Sequence, residues 1–184
     1  MPSNFSGSWK CVEVGDTGDF GDFLKLMGVP WFIRKIAKFD RYGANKETEV
    51  ITMESASHFK VVNNGPRKVI TQEFRIDGTE QSTISIPAGE NLLVSATWDG
   101  DALVMRTQVP GATHWIEARR SFDAAGRMRL DLTATRHDGS GQASTSRIYE
   151  RTADGAGSAG WATAAVEAEV AEHGERPETP RAGY

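Results

Sequence analysis

Apolar and polar residues alternate along most of the chain, with one interruption near the start. From Asn4 to Val14 the period is two, which puts Phe5, Gly7, Trp9, Cys11 and Glu13 on one face of a first strand. Gly15-Asp-Thr-Gly18 reads as a turn, and Asp19 as a helix N-cap with Asp22 supporting the first turn. Between Phe20 and Phe39 the period becomes helical. Phe20, Phe23, Leu24 and Met27 share one face, and Gly28 stops that helix. Pro30 opens a second helix, in which Trp31, Ile33, Ile36 and Ala37 are apolar and Arg34, Lys35 and Lys38 basic. The spacing predicts a helix-turn-helix of about twenty residues.

From Thr48 to Arg151 the period returns to two. Short strand-like runs cover Glu49–Ser55, Ser57–Val62, Lys68–Ile76, Gln81–Ile86, Leu92–Trp98, Ala102–Val109, Thr113–Phe122, Met128–Arg136 and Ser144–Arg151. Turn signals divide them, among them Asn63-Asn-Gly-Pro66, Pro87-Ala-Gly89 and the tight-hairpin pairs Asp77-Gly78, Asp99-Gly100 and Asp138-Gly139. With the first strand this gives about ten strands, an all-β antiparallel barrel or sandwich. Asp40–Glu47 is too polar to place. Residues 152–184 are rich in Ala, Gly, Glu and Pro and read as a partly disordered tail, with a short helix over Trp161–Glu172. The expected division is therefore residues 1–151 as one domain and 152–184 as the tail.

Composition narrows the function classes. A formal net charge of −4 gives no general attraction to nucleic acid. The single cysteine, Cys11, excludes an internal disulfide framework and a multi-cysteine zinc site. The N-terminus shows neither the basic nor the apolar segment of a signal peptide, so a cytoplasmic location is expected. His58, His114, His137 and His173 lack metal-ligand spacing, and no metal or cofactor is expected. His114 beside Trp115, or His58 beside Phe59, is the alternative that would ligate a haem iron. No nucleophile motif or phosphate loop is visible, so an enzyme is not expected.

One stretch carries candidate chemistry. In Ser144-Thr-Ser-Arg-Ile-Tyr-Glu-Arg151, read as a strand, Arg147 and Tyr149 share a face. A guanidinium fork beside a phenol suits a carboxylate. The alternative is a surface strand on which Arg147 and Arg151 flank Glu150 in water.

The order of elements and several motifs resemble the intracellular lipid-binding proteins, the cytosolic fatty-acid- and retinoid-binding family of the calycin superfamily. Phe5-Ser-Gly-Ser-Trp-Lys10 is similar to that family's opening motif, and Phe20–Val29 with Arg34-Lys-Ile-Ala37 to its helical lid. Ile51–Lys60 is similar to its third and fourth strands, Thr97-Trp-Asp-Gly100 to its Lys-Trp-Asp-Gly hairpin, and Ser146–Arg151 to its closing strand. The resemblance implies a ten-stranded up-and-down barrel holding a hydrophobic small molecule, in the first place a long-chain fatty acid, for intracellular transport. It implies Arg147 and Tyr149 as the carboxylate anchor, with a second inner arginine. Arg106 is the nearest match, one residue out of register, and Arg119 and Arg120 are the alternatives. Portal contacts would come from Phe20, Phe23, Leu24, Val29 and Phe59. A monomer is expected, with transient membrane contact through the lid. The alternatives are a barrel enzyme resembling dinoflagellate luciferase domains, a haem- or bilin-binding protein, and a barrel whose interior is filled by large side chains. The chain departs from the family at Arg41–Glu47, where a second strand is due, and between Trp98 and Arg147, where about twenty surplus residues suggest an extra hairpin.

Overall fold

The computed structural model describes residues 2–15, 20–39, 41–65, 69–85 and 90–152, with the side chains of 84, 85 and 90 left aside. The turn at 16–18, the N-cap at Asp19, the Pro66 and Pro87–Gly89 turns and the tail from 153 onward lie outside the described residues. The elements run β1 (Gly7–Gly15), α1 (Phe20–Leu26), α2 (Trp31–Phe39), a short 3-10 turn (Arg41–Gly43), then β2 (Thr48–Ser55), β3 (His58–Asn64), β4 (Val69–Arg75) and β5 (Gln81–Ser85). They continue with β6 (Glu90–Asp99), β7 (Ala102–Gln108), β8 (His114–Phe122), β9 (Met128–Arg136) and β10 (Gln142–Arg151).

The helices follow their sequence signals. Val29 N–H donates to Leu24 O (2.9 Å) and Gly28 N–H to Lys25 O (3.0 Å), closing α1 over Gly28 at φ +75°. A left-handed residue there ends the helix with its carbonyls satisfied, and glycine adopts it without steric cost. The Arg34 guanidinium donates to Val29 O (2.7 Å), tying α2 back to the connection.

Ten antiparallel strands form one sheet in the order β4-β3-β2-β1-β10-β9-β8-β7-β6-β5. Consecutive strands pair except β4 with β5, the two edges, and β1 joins the two halves by pairing with both β2 and β10. The sheet curls until β4 and β5 come side by side. These two edges are joined by side chains in place of a ladder. Gln81 accepts from Arg75 N–H and donates to Arg75 O, both at 2.8 Å, and Thr83 Oγ1 donates to Glu73 O (3.0 Å). The polar groups of two exposed edges are thereby partly satisfied. The result is a nearly closed up-and-down barrel with a helical hairpin.

Two expectations change. A β-bulge sits between Cys11, opposite Tyr149, and Glu13, opposite Ile148. The extra residue, Val12, turns the rest of the strand over, so Glu13 is exposed while Val14 packs on the core. Ile51–Lys60, likened to third and fourth strands, falls on β2 and β3. As the sequence pattern indicates, Arg41–Glu47 holds no strand, and the interval between Trp98 and Arg147 holds β7, β8 and β9, which gives ten strands among the described residues.

One end of the barrel is filled by aromatics. Phe5 stacks on Phe122 (ring centroids 4.8 Å apart), Trp9 lies 5.8 Å from Phe122, and Trp9 Nε1–H donates to Phe5 O (2.8 Å). Phe5, Trp9 and Met128 are fully buried. Each large side chain buried this way contributes about 1.5–3 kcal/mol from area alone.

Candidate binding cavity

A cavity of about 750 Å³ remains inside the barrel. That lies within the range of small-molecule sites, roughly 300–1,000 Å³. Leu24, Ile33 and Ala37 line it from the helices and Val29 from the connection between them; Val61, Met105, Ile116, Ala118, Leu130 and Leu132 are among the strand residues that do so. The lining is mostly apolar, and its charged groups converge on one cluster.

That cluster is built from facing strands. β10 carries Arg147, and β8 carries Arg120, which is 5% exposed. Glu49 on β2 is 2% exposed and takes two bonds from Arg120 Nη2, both 3.2 Å. Glu47, just before β2, pairs with the Arg147 guanidinium through Oε2 and accepts the Tyr149 hydroxyl on Oε1 (2.6 Å). Asn63 on β3 bridges the two acids, donating to Glu47 Oε1 (3.0 Å) and Glu49 Oε1 (3.2 Å). The formal charges cancel, two arginines against two glutamates. Unpaired burial of any one of these four charges would cost several kcal/mol, and the pairing avoids that cost.

Aromatic rings frame the arginines. Arg147 lies over Phe20 (5.4 Å to the centroid) and Arg120 over Phe59 (5.4 Å). Phe20 in turn packs on Tyr42 at 4.5 Å. Burial, with Glu49 and Glu47 nearby, pushes the Tyr149 phenol well above its usual range, so it is a neutral donor. Burial opposes the Arg147 charge, but Tyr149 and Glu47 outweigh it and hold its pKa above the ordinary arginine value.

The loop before β2 places Glu47. Arg41 (φ 51°), Tyr42 (φ 54°) and Gly43 (φ 90°) are successive left-handed residues. Two of them carry side chains, a strained arrangement that the surrounding contacts hold in place. Cys11 N–H donates to Glu47 O (2.9 Å) and Asn45 N–H to Cys11 O (2.8 Å), fastening the loop to β1. A Cβ at Gly43 would lie 3.4 Å from Glu47 Oε2, so the turn also leaves room for that carboxylate.

The expected site residues divide. Arg147, Phe20, Leu24 and Val29 line the cavity. Tyr149 is fully buried and reaches the cluster through its hydroxyl. Arg106 does not face inward: Met105 and Thr107 line the cavity, so strand parity sends the residue between them outside. There it is 62% exposed, bonds Glu117 (3.1 Å) and covers Trp115. Arg119 is also outward, on Asp99, and Arg120 is the second inner arginine. Phe23 and Phe59 pack as core residues and are not lining. Of the histidines, His58 faces Glu73, and neither it nor His114 nor His137 lines the cavity; His173 lies outside the described residues.

Solved structures match this geometry. Human cRBP IV, a cellular retinol-binding protein, superposes with a TM-score of 0.58 at 18% identity, over 82% of this chain and 100% of the other. The fatty-acid-binding protein 1 of Echinococcus granulosus gives 0.57 at 16% identity, over 81% and 98%. The fold is that of the intracellular lipid-binding proteins. By sequence, neither a protein-family model nor a curated protein matches the chain. In this lipid-binding-protein fold, Glu47 and Glu49 are the residues that sequence reasoning missed. A period-two signal existed for Glu49, which shares a face with Ile51, but Glu47 stands in the unplaced polar stretch.

Proposed function

We propose that the protein binds one hydrophobic small molecule reversibly inside the barrel and carries it without chemical turnover. The observation that carries this reading is the 750 Å³ cavity with its apolar lining, left empty of large side chains while the other end of the barrel is packed with them. A filled interior would have favoured a structural barrel. The two structural neighbours, a retinol-binding and a fatty-acid-binding protein, support a lipid as the occupant. The closing strand's resemblance suggests a long-chain fatty acid, but the pairing of Arg147 with Glu47 leaves the hydrocarbon tail as the part that the lining selects; about a dozen buried methylenes at ~0.8 kcal/mol each supply about the binding energy of a micromolar affinity. An intracellular setting and a barrel domain ending at Arg151 belong to the same proposal.

Access fits the same reading. α2 turns Ile33 and Ala37 to the cavity and leaves Trp31, Phe32, Ile36 and Phe39 exposed, alongside Lys35 and Lys38. An apolar stripe with a basic border is suited to brief docking on an anionic bilayer. Among the described residues no helix is long and apolar enough to cross a membrane.

Native mass spectrometry of the full chain, with a cavity-filling variant, tests the proposal. Wild type should carry or take up one hydrophobic molecule per chain. Ala118→Phe should lose that uptake while keeping its β-type circular dichroism. No uptake from a panel of acids, alcohols and esters, or uptake unchanged by the filled cavity, refutes it.

A further inference from the structure

The inner arginines are not free to receive an anion. Arg147 is paired with Glu47 and Arg120 with Glu49, and Tyr149 spends its hydroxyl on Glu47 as well. Asn63 ties the two carboxylates into one network. An ionised ligand carboxylate would therefore enter a space whose positive charges are already matched, and would stand near two carboxylates at close range. Repulsion between like charges in a poorly hydrated site is strong. A cationic ligand meets the mirror problem at the two guanidinium groups. A neutral group meets neither.

Unused hydrogen-bonding groups remain on the cavity lining. Arg147 Nε, Arg120 Nε and Thr107 Oγ1 are buried without a hydrogen-bond partner, and all three residues line the cavity. Gln72 and Asn63 add neutral polar side chains to the lining. Donors of this kind suit the oxygen of an alcohol, aldehyde or amide.

We propose that Glu47 and Glu49 act as built-in carboxylates that make the barrel selective for lipids with a neutral polar end and discriminate against ionised fatty acids. The proposal rests on the binding function given above and assigns specificity to two charged residues of the cavity lining. It reads Arg147 and Tyr149 as partners of Glu47 first and of a ligand only through the remaining donors.

The experiment compares dodecanol with dodecanoic acid at pH 7.5, by displacement of an anthracene-labelled long-chain alcohol from the full chain. In wild type the alcohol should bind at least tenfold tighter than the acid. In Glu47→Gln, which removes one negative charge and keeps a hydrogen-bonding side chain, the ratio should shift at least tenfold toward the acid. Glu49→Gln should shift it the same way, and serves if the first variant does not fold. Wild type that binds the acid as tightly as the alcohol overturns the proposal without any variant. So does a variant in which both affinities change equally, which is the result of a purely structural role. If the labelled alcohol does not bind wild type at all, the binding function itself fails, and the specificity with it.

Discussion

Removing Arg120 alone should cost more than removing Arg120 and Glu49 together. The two side chains are 5% and 2% exposed and meet at 3.2 Å, so neither is hydrated enough to stand alone. Arg120→Met keeps much of the apolar stem and leaves Glu49 with the neutral amide of Asn63. Stranding one charge of a buried pair typically costs about 3–5 kcal/mol. The variant should therefore be about 3–5 kcal/mol less stable than wild type at pH 7. Arg120→Met with Glu49→Leu should recover most of the loss at pH 7, because no charge is left unpaired. Urea unfolding followed by tryptophan fluorescence at pH 7 compares wild type with the single and double variants. A double variant as unstable as the single one, or more so, would mean that Arg120 stabilises by packing on Phe59, and the reasoning about the stranded charge would be wrong.

Alkaline stability supplies a second test. Burial raises the Cys11 thiol from 9.0 to about 11. The folded state thus holds its proton where the unfolded state has lost it, so this contribution is complete below pH 9 and disappears as pH rises from about 9 to about 11. The loss should be roughly 2–3 kcal/mol in urea unfolding, and Cys11→Ala should lose correspondingly less over that window; equal losses in the two proteins would refute the assignment. For the lid, Phe32→Ser with Phe39→Ser should weaken sedimentation with phosphatidylserine vesicles by at least tenfold, and wild-type binding should fall as salt rises. Vesicle binding that is absent from wild type, or unchanged in the double variant, would remove membrane docking from the proposed function.

The sequence by itself carried the architecture. Period-two alternation from Thr48 to Arg151, helical spacing from Phe20 to Phe39 and the Asp-Gly turns are local signals, and the β-barrel with its helical hairpin followed from them. Parity also brought Arg147 and Tyr149 to one side of β10. Parity carried across an unknown register failed, however. Arg106 was assigned from its distance to Trp98, and one residue of slip in a strand exchanges inside for outside. A bulge did the same to Glu13. The charge balance of the cavity was beyond local reading altogether. Glu47 lies 100 residues from Arg147, and Glu49 lies 71 from Arg120. Glu47 reaches the barrel through three left-handed residues in a stretch whose polarity suggests only a loop. Only the closed sheet brings β2, β8 and β10 around one space, and it is that closure that pairs each arginine with an acid.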